Sequence, residues 1–383
     1  MDEVLLVINS GSSSIKFALY TCADLKLQYQ GKIESVFEKP QFSAVNSQQQ
    51  QIINESLSSP GYASLLTYLL DWLHHLPQSF TLKAVGHRVV HGGTIFYGPC
   101  LVNADRIKEI ASLTPLAPLH QPHNVLAIES IEKIYPGLPQ VACFDTTFHQ
   151  TQELLAMCFA LPRNLTEEGV IRYGFHGISY EYIASVLPQE LGSRVVVAHL
   201  GNGASLCAMK NGKSVATTMG FTTLDGLVMG SRCGTLDPGV ILYLLQEKRF
   251  SAEQINKLLY AQSGLLGVSG ISTNMHDLQS SSDPHAMEAV NLFCYRAAKE
   301  LCGLLADLHG CDALIFTAGI GENSAFVRKK ICEHLEWLGV ILDEHANSTN
   351  ALLISDNKSA ILVGVIPTNE EYMIARHTLQ YIT

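Results

Sequence analysis

A chain of 383 residues, 47% of them apolar, is longer than one hydrophobic core usually serves and points to two domains or a duplicated architecture. Its 25 lysines and arginines face 35 acidic residues, a net charge of −10 with no basic run among aromatics, which argues against nucleic acid or an anionic membrane as partner. No run approaches the roughly 20 apolar residues of a membrane span, and the acidic, briefly apolar start "MDEVLLVINS" does not read as a secretory signal.

In chain order, Val-, Ile- and Leu-rich runs at 4–8, 15–20, 141–144, 195–200, 206–209, 313–317 and 361–366 predict strands. Helical spacing places Leu65, Leu66, Leu69, Leu70, Leu73 and Leu76 on one face, and Val290, Phe293, Cys294, Ala297, Leu301, Leu304 and Leu308 on another. Alternating strands and helices define an α/β chain. Residues 39–61, polar and aperiodic, read either as a surface excursion or as a weakly patterned strand or two, and residues 278–284 as a loop leading into the long helix. The ten cysteines include no Cys-x-x-Cys pair; Cys158, Cys207, Cys294 and Cys302 lie in apolar patterns and read as buried thiols of a reducing compartment.

Two stretches resemble each other: "VINSGSSSIKFAL" and "VVAHLGNGASLCAM" both run strand, glycine turn, strand, with Ser14–Ile15 matching Ser205–Leu206, which suggests related halves. The first is by itself either a phosphate cradle or a plain hairpin, since small hydroxyl residues dominate turns for local reasons. A third glycine turn, "FTAGIGEN", follows an apolar strand. None has the third glycine of G-x-G-x-x-G, and G-x-x-x-x-G-K-[ST] is absent, so a nucleotide would have to be held by several separate turns at strand ends. Arg88 in "GHRVVHGG" sits between valine-rich neighbours; its permanent charge needs an anion or a structural carboxylate. Arg232 in "MGSRCGTLDPG" lies between glycines on what reads as an adjustable loop, favouring anion contact. Asp145 in "ACFDTTFHQT" ends a strand, where it can serve Mg²⁺ through water, orient a reacting group or cap a helix. His176 and His199 stand out among fifteen histidines because glycines flank them.

With "LAPLHQPHN", "RYGFHG" and "IPTNEE" in the same order, these motifs resemble the acetate kinase family of the acetate and sugar kinase, Hsp70 and actin superfamily, nearly end to end. The resemblance implies a duplicated actin-like (ribonuclease H-like) α/β fold around an interdomain active-site cleft. Its N-terminal domain would span 1–148, completed by a C-terminal helix at 371–383, and its nucleotide-binding domain 149–370. It implies a cytoplasmic homodimer that reversibly transfers phosphoryl from ATP to acetate, directly and in line, giving acetyl phosphate and ADP. Mg²⁺, for which Mn²⁺ can substitute, would be served by Asn9 and Glu370. Asp145, His176 and Arg232 would be catalytic; Asp145 is the family's acid/base residue, but acetate has no proton to lose at neutral pH, so a positioning role fits it better. Arg88 would bind the carboxylate in a methyl-sized pocket walled by Val90, Leu119 and Phe175. Ser12, Ser14, Lys16, His199, Leu200, Gly201, Asn202, Gly203, Asn274, Met275, His276, Gly319, Ile320, Gly321, Glu322 and Asn323 would contact ATP.

Three departures bear on specificity. "NMH" at 274–276 replaces the family's Asp-(Phe/Met)-Arg on the adenosine side, Thr223 stands for a proline beside the acid pocket, and Thr235 for an aspartate. Propionate or another short acid is the alternative substrate, although Val90 favours acetate. An ATP-driven switch of actin or Hsp70 type is a remote rival, and no polymerisation insert is visible for it.

Overall fold

The computed structural model describes residues 2–11, 14–58, 61–76 and 80–383. The chain forms two compact units, Met1–Thr147 with Asn369–Thr383, and Phe148–Thr368.

The first unit holds β1 (Asp2–Ser10), β2 (Ser14–Thr21), β3 (Leu27–Glu34), β4 (Gln41–Asn46), β5 (Gln51–Ser56), β6 (Phe80–Val89), β7 (Cys100–Leu101) and β8 (Gln140–Phe144), in the order β5-β4-β3-β2-β1-β6-β8-β7. β1 pairs antiparallel with β2 and parallel with β6, which pairs parallel with β8. Val4 to Ile8 are all buried, as expected of a central strand covered on both faces. On one face, helix Tyr62–His74 inserts Leu65, Leu66, Leu69 and Leu70, and helix Gln121–Ile134 adds Ala127 and Ile131 to the same core. Each such leucine contributes about 2 kcal/mol by leaving water. Helix Glu370–Gln380 packs on the sheet so closely that a Cβ on Gly86 of β6 would lie 2.6 Å from Ile374 Cγ2, which fixes glycine there.

The second unit holds β9 (Arg194–Leu200), β10 (Ala204–Lys210), β11 (Lys213–Thr217), β12 (Ala313–Thr317) and β13 (Leu362–Val365), in the order β11-β10-β9-β12-β13. Helix Pro284–Leu308 lies against this sheet; Asp283 caps its start by accepting from the His285 amide at 2.9 Å, and Pro284 follows at the first helical position. In both units a first strand pairs antiparallel with its successor and parallel with the next strand inward: β3-β2-β1-β6-β8 repeats as β11-β10-β9-β12-β13. This is the duplicated actin-like α/β fold.

The structure corrects several sequence expectations. Of the two readings of residues 39–61 the strands hold, because β4 and β5 extend the sheet there. Residues 278–280 belong to helix Met275–Ser280, leaving only 281–283 as loop, since Leu278 buries itself while Asn274 caps the helix start. "AGIGEN" is not a glycine turn but the short helix Ala318–Asn323. Of the four cysteines read as buried, Cys207 and Cys294 are, Cys302 is partly so and Cys158 is exposed; all ten thiols are free. Among the described residues no helix is long and apolar enough to cross a membrane.

Candidate active site

In the first unit the chemistry gathers at the ends of β1, β6 and β8. Register places Asn9 beside both Lys16 and Arg88. The chain leaves β8 through Asp145, whose amide donates to Val89 O at 3.0 Å and so brings its carboxylate alongside Arg88. Arg88 donates from Nε to Asp145 Oδ1 at 3.2 Å, from Nη2 to Asp145 Oδ2 at 2.5 Å and from Nη1 to Asn9 Oδ1 at 3.1 Å. Asp145 is 1% exposed and the Arg88 side chain 19%, so a fork-shaped pair sits largely out of water. Burial pushes the Asp145 carboxyl up while Arg88 pulls it down, and Asp145 and Glu370 together hold Arg88 charged against its own burial. Glu370, at the start of the C-terminal helix, is pushed up to about 7, by burial first; Asp145 and Glu371 add to the rise, and Arg88 and Lys16 oppose it.

Asn124 ties this end of the sheet together, donating to Ser10 O at 2.9 Å and accepting from the Val90 amide at 3.0 Å. It closes "LAPLHQPHN", so the motif carried a signal to which sequence reading gave no role. Val90 is buried, whereas Leu119 is 42% exposed. Phe175, the third wall residue expected for an acid pocket, is buried in the second unit. Ser14 begins β2, its carbonyl accepting from the Gly11 amide at 2.8 Å, and Lys16 is exposed on that strand. Ser12, expected at the phosphates, lies outside the described residues.

In the second unit the β9–β10 turn is closed by the Gly201 amide donating to Gly203 O at 3.1 Å. A Cβ on Gly203 would lie 3.3 Å from His176 Nε2 and 3.8 Å from Arg232 Nη1, so these two expected catalytic groups converge on a turn that glycine keeps open. His176 has left-handed backbone, φ 58°, at the start of helix Gly177–Val186, and its ring stacks on His199 with centroids 4.2 Å apart. His176 Nδ1 meets Ser205 Oγ at 2.8 Å, and Ser205 Oγ meets Tyr180 Oη at 2.5 Å; His199 Nδ1 meets Ser179 Oγ, which meets Thr368 Oγ1, each at 2.8 Å. Hydroxyls thus set both imidazoles.

The loop of Arg232 is pinned, contrary to expectation: the Gly230 amide donates to Asn202 O at 3.0 Å, Met229 to Arg232 O at 3.2 Å and Ser263 to Ser231 O at 3.0 Å. Thr223, in place of the family's proline, faces Arg232 through its carbonyl, 3.5 Å from Nη1. Thr235, in place of an aspartate, donates to Asp225 at 2.9 Å; Asp225 in turn pairs with Arg172.

On the expected adenosine side, Asn274 is an exposed helix cap accepting from the His276 amide at 2.9 Å, Met275 is buried and His276 exposed. In helix Ala318–Asn323, the Glu322 carboxylate accepts from the Ala318 amide at 2.8 Å and the Thr368 amide at 3.0 Å. Gly319 and Asn323 are exposed, Ile320 partly so and Gly321 buried. Beneath them lies Arg328, fully buried, with all its donors on neutral oxygens: Gly321 O, Glu322 O, Asn347 O, Asn347 Oδ1 and Asn350 Oδ1 at 2.6–3.0 Å. Sequence reading missed Arg328, because in "SAFVRKK" one cation beside two others looks like a solvated helix face.

Two copies of one sheet, with a carboxylate-locked arginine on the first and an imidazole–guanidinium pair on the second, are the build of an actin-like phosphotransferase. The model of the acetokinase family matches residues 4–376. The acetate kinase of Rhodopseudomonas palustris strain ATCC BAA-98 / CGA009 is 53% identical over 98% of both chains, and that of Rhizobium meliloti 45% identical over 100% of this chain and 99% of its own. Among solved structures, a propionate kinase from Francisella tularensis superposes with a TM-score of 0.91 at 38% identity over 98% of both chains. Porphyromonas gingivalis acetate kinase does so at 0.89, with 34% identity over the whole of both. The chain belongs to the acetokinase family, whose chemistry is phosphotransfer to a carboxyl acceptor.

Proposed function

We propose that the protein is an acetate kinase that transfers the γ-phosphoryl of ATP directly to acetate, reversibly and in line. The observation that carries this reading is Arg88: three of its N–H donors are engaged by Asp145 and Asn9, which fixes the guanidinium plane while leaving donors for a substrate carboxylate. Asp145 then acts by holding Arg88, since acetate arrives ionised and needs no base. His176 and Arg232 donate to the equatorial oxygens of the transferring group, where charge shifts in the transition state. The turn residues at 199–203, helix Ala318–Asn323 and Asn274 support ATP.

Around Glu370 the acids Asp145, Glu370 and Glu371 outnumber the cations Arg88 and Lys16, and Asn9 adds an amide oxygen. That hard-oxygen set suits Mg²⁺, which takes only one or two carboxylates beside water and substrate phosphates. Among the described residues no three His, Cys, Asp or Glu side chains gather as a metal cluster, here or elsewhere, so phosphates and water would have to complete the set. Asn9 and Glu370 would hold the ion, which when bound neutralises phosphate charge.

The propionate kinase neighbour makes propionate the second reading, because one methylene in a pocket is worth only about 1–3 kcal/mol. kcat/KM for acetate, propionate and butyrate separates the two: acetate should lead, and a lead for propionate moves the assignment to it. ATP turnover without any short acid would sink both.

Helix Pro238–Gln246, "PGVILYLLQ", buries none of its residues, and Val240, Leu242, Tyr243 and Leu245 are 39%, 54%, 50% and 39% exposed. Such an apolar face suits a second copy of the chain, giving the family's homodimer. Leu242→Asp should shift the protein to monomer in sedimentation; an unchanged dimer would place the interface elsewhere. Ten free thiols fit a reducing cytoplasm.

A further inference from the structure

His149 belongs to no set of residues expected to meet a substrate, yet it is 1% exposed and grips the segment that carries His176. Its Nε2 lies 2.9 Å from Phe175 O. A backbone carbonyl can only accept, so Nε2 carries the proton and Nδ1 is the acceptor. The rest of the network agrees with that tautomer. Nδ1 lies 2.9 Å from Ser214 Oγ, which must then donate to it, and Ser214 Oγ is left to accept from Gln152 Nε2 at 2.9 Å and Cys207 Sγ at 3.4 Å. Thr151 Oγ1 holds the Ser214 carbonyl at 2.7 Å, and the rings of Phe148 and Tyr180 stand edge-on to the imidazole.

The imidazole also shapes the turn before it. Gly174 has φ 73°, and a Cβ there would lie 2.5 Å from His149 Cδ2 and 2.7 Å from Cγ, so the ring rests on the bare Cα of Gly174. The next residue but one is His176, held in the left-handed region at φ 58°, a conformation that costs free energy and persists only where its surroundings impose it. Gly174, Phe175 and His176 thus run past a single ring that packs on the first and hydrogen-bonds the second.

We propose that His149 is a positioning residue for phosphoryl transfer: as the Nε2–H tautomer it anchors the Phe175 carbonyl and so fixes the left-handed turn that aims His176. The inference rests on the transition-state role given to His176 above.

The test compares His149→Phe, which keeps a ring and removes the donor, with His149→Gln, whose amide reaches the Nε2 position and restores it. Acetyl phosphate formation is followed at saturating acetate. His149→Phe should lose about 100-fold in kcat, the scale of a misplacement of about 1 Å. Its KM for ATP should stay within about twofold, its circular dichroism and thermal melt should match the parent so that no loss of folded enzyme accounts for the fall, and His149→Gln should recover most of the rate. Full activity in His149→Phe, or a Gln variant as impaired as the Phe variant, overturns the proposal. If the Phe variant does not fold, nitrogen-15 NMR of the intact protein decides: a proton on His149 Nε2 upholds the anchor, and a proton on Nδ1 alone removes it. His176→Ala is assayed alongside. An unaffected kcat there refutes the role of His176 itself, whereas a collapsed kcat beside an active His149→Phe refutes only the anchor.

Discussion

The two units repeat one five-strand arrangement, β3-β2-β1-β6-β8 and β11-β10-β9-β12-β13, and carry different residues along the same row across it. In the first, register aligns Arg88, Asn9 and Lys16 at the strand ends; in the second, the corresponding pairings align Thr317, His199 and Ser205. One row is charged and locked by a carboxylate, the other built from hydroxyls and an imidazole. Identical topology therefore fixes where chemistry is presented and leaves its kind to the side chains. On the function proposed above, the first row would meet a substrate anion that is charged throughout, and the second would lie beside groups that meet charge shifting during transfer.

Arg232→Ala tests that division hardest. It should lower kcat by about 1,000-fold with little change in acetate KM, since the contact strengthens only in the transition state. Arg88→Ala should instead raise acetate KM by about 10–100-fold, on the scale of a lost charge-assisted contact. It should also lower the unfolding free energy, because Asp145 keeps a buried charge with its partner gone. Steady-state kinetics on both decide the matter: two variants changing the same parameter would erase the distinction between the rows.

A smaller effect separates the units by acid. Burial holds His87, His91 and His149 down to about 4, and all three are almost wholly enclosed. Between pH 6.5 and 4 the unfolded chain binds protons that the folded chain refuses, so stability present above 6.5 drains away as pH falls, by up to about 3 kcal/mol per histidine. Two of the three lie in the first unit. Protection factors of the β6 amides should therefore fall on acidification before those of β9; an equal fall would show that these histidines do not set the acid limit.

Much of the fold was legible in the sequence because buried strands such as Val4 to Ile8 leave an apolar run, and helix Pro284–Leu308 a strong period. β4 and β5 were legible only as one of two readings, since β4 is six residues long with just Phe42 and Ala44 buried, and the edge strand β5 in "NSQQQQIINES" exposes most of its side chains. Motif order signalled the duplication but misjudged its register: matching Ser14 to Ser205 by their neighbours differs from the pairing, which sets Lys16 where the second hairpin has Ser205. One register step decides whether a strand end offers an ammonium or a hydroxyl, and spacing alone does not contain it. Arg88, Asp145, His176 and Arg232 announced themselves as polar groups in apolar or glycine-rich company. Asn124, Tyr180 and Ser205 did not, because their roles exist only through partners elsewhere in the chain, and Arg328 did not because beside Lys329 and Lys330 it reads as a solvated helix face.

Arg328 has a consequence for how the second unit breathes. Its guanidinium is held by carbonyl and amide oxygens alone, two of them the carbonyls of Gly321 and Glu322. If helix Ala318–Asn323 frayed locally, a permanent charge would remain in the interior with part of its solvation stripped away, at a cost of several kcal/mol. That short helix, which by its length alone would open freely, is thereby denied a cheap local exit and released only when the unit around it comes apart.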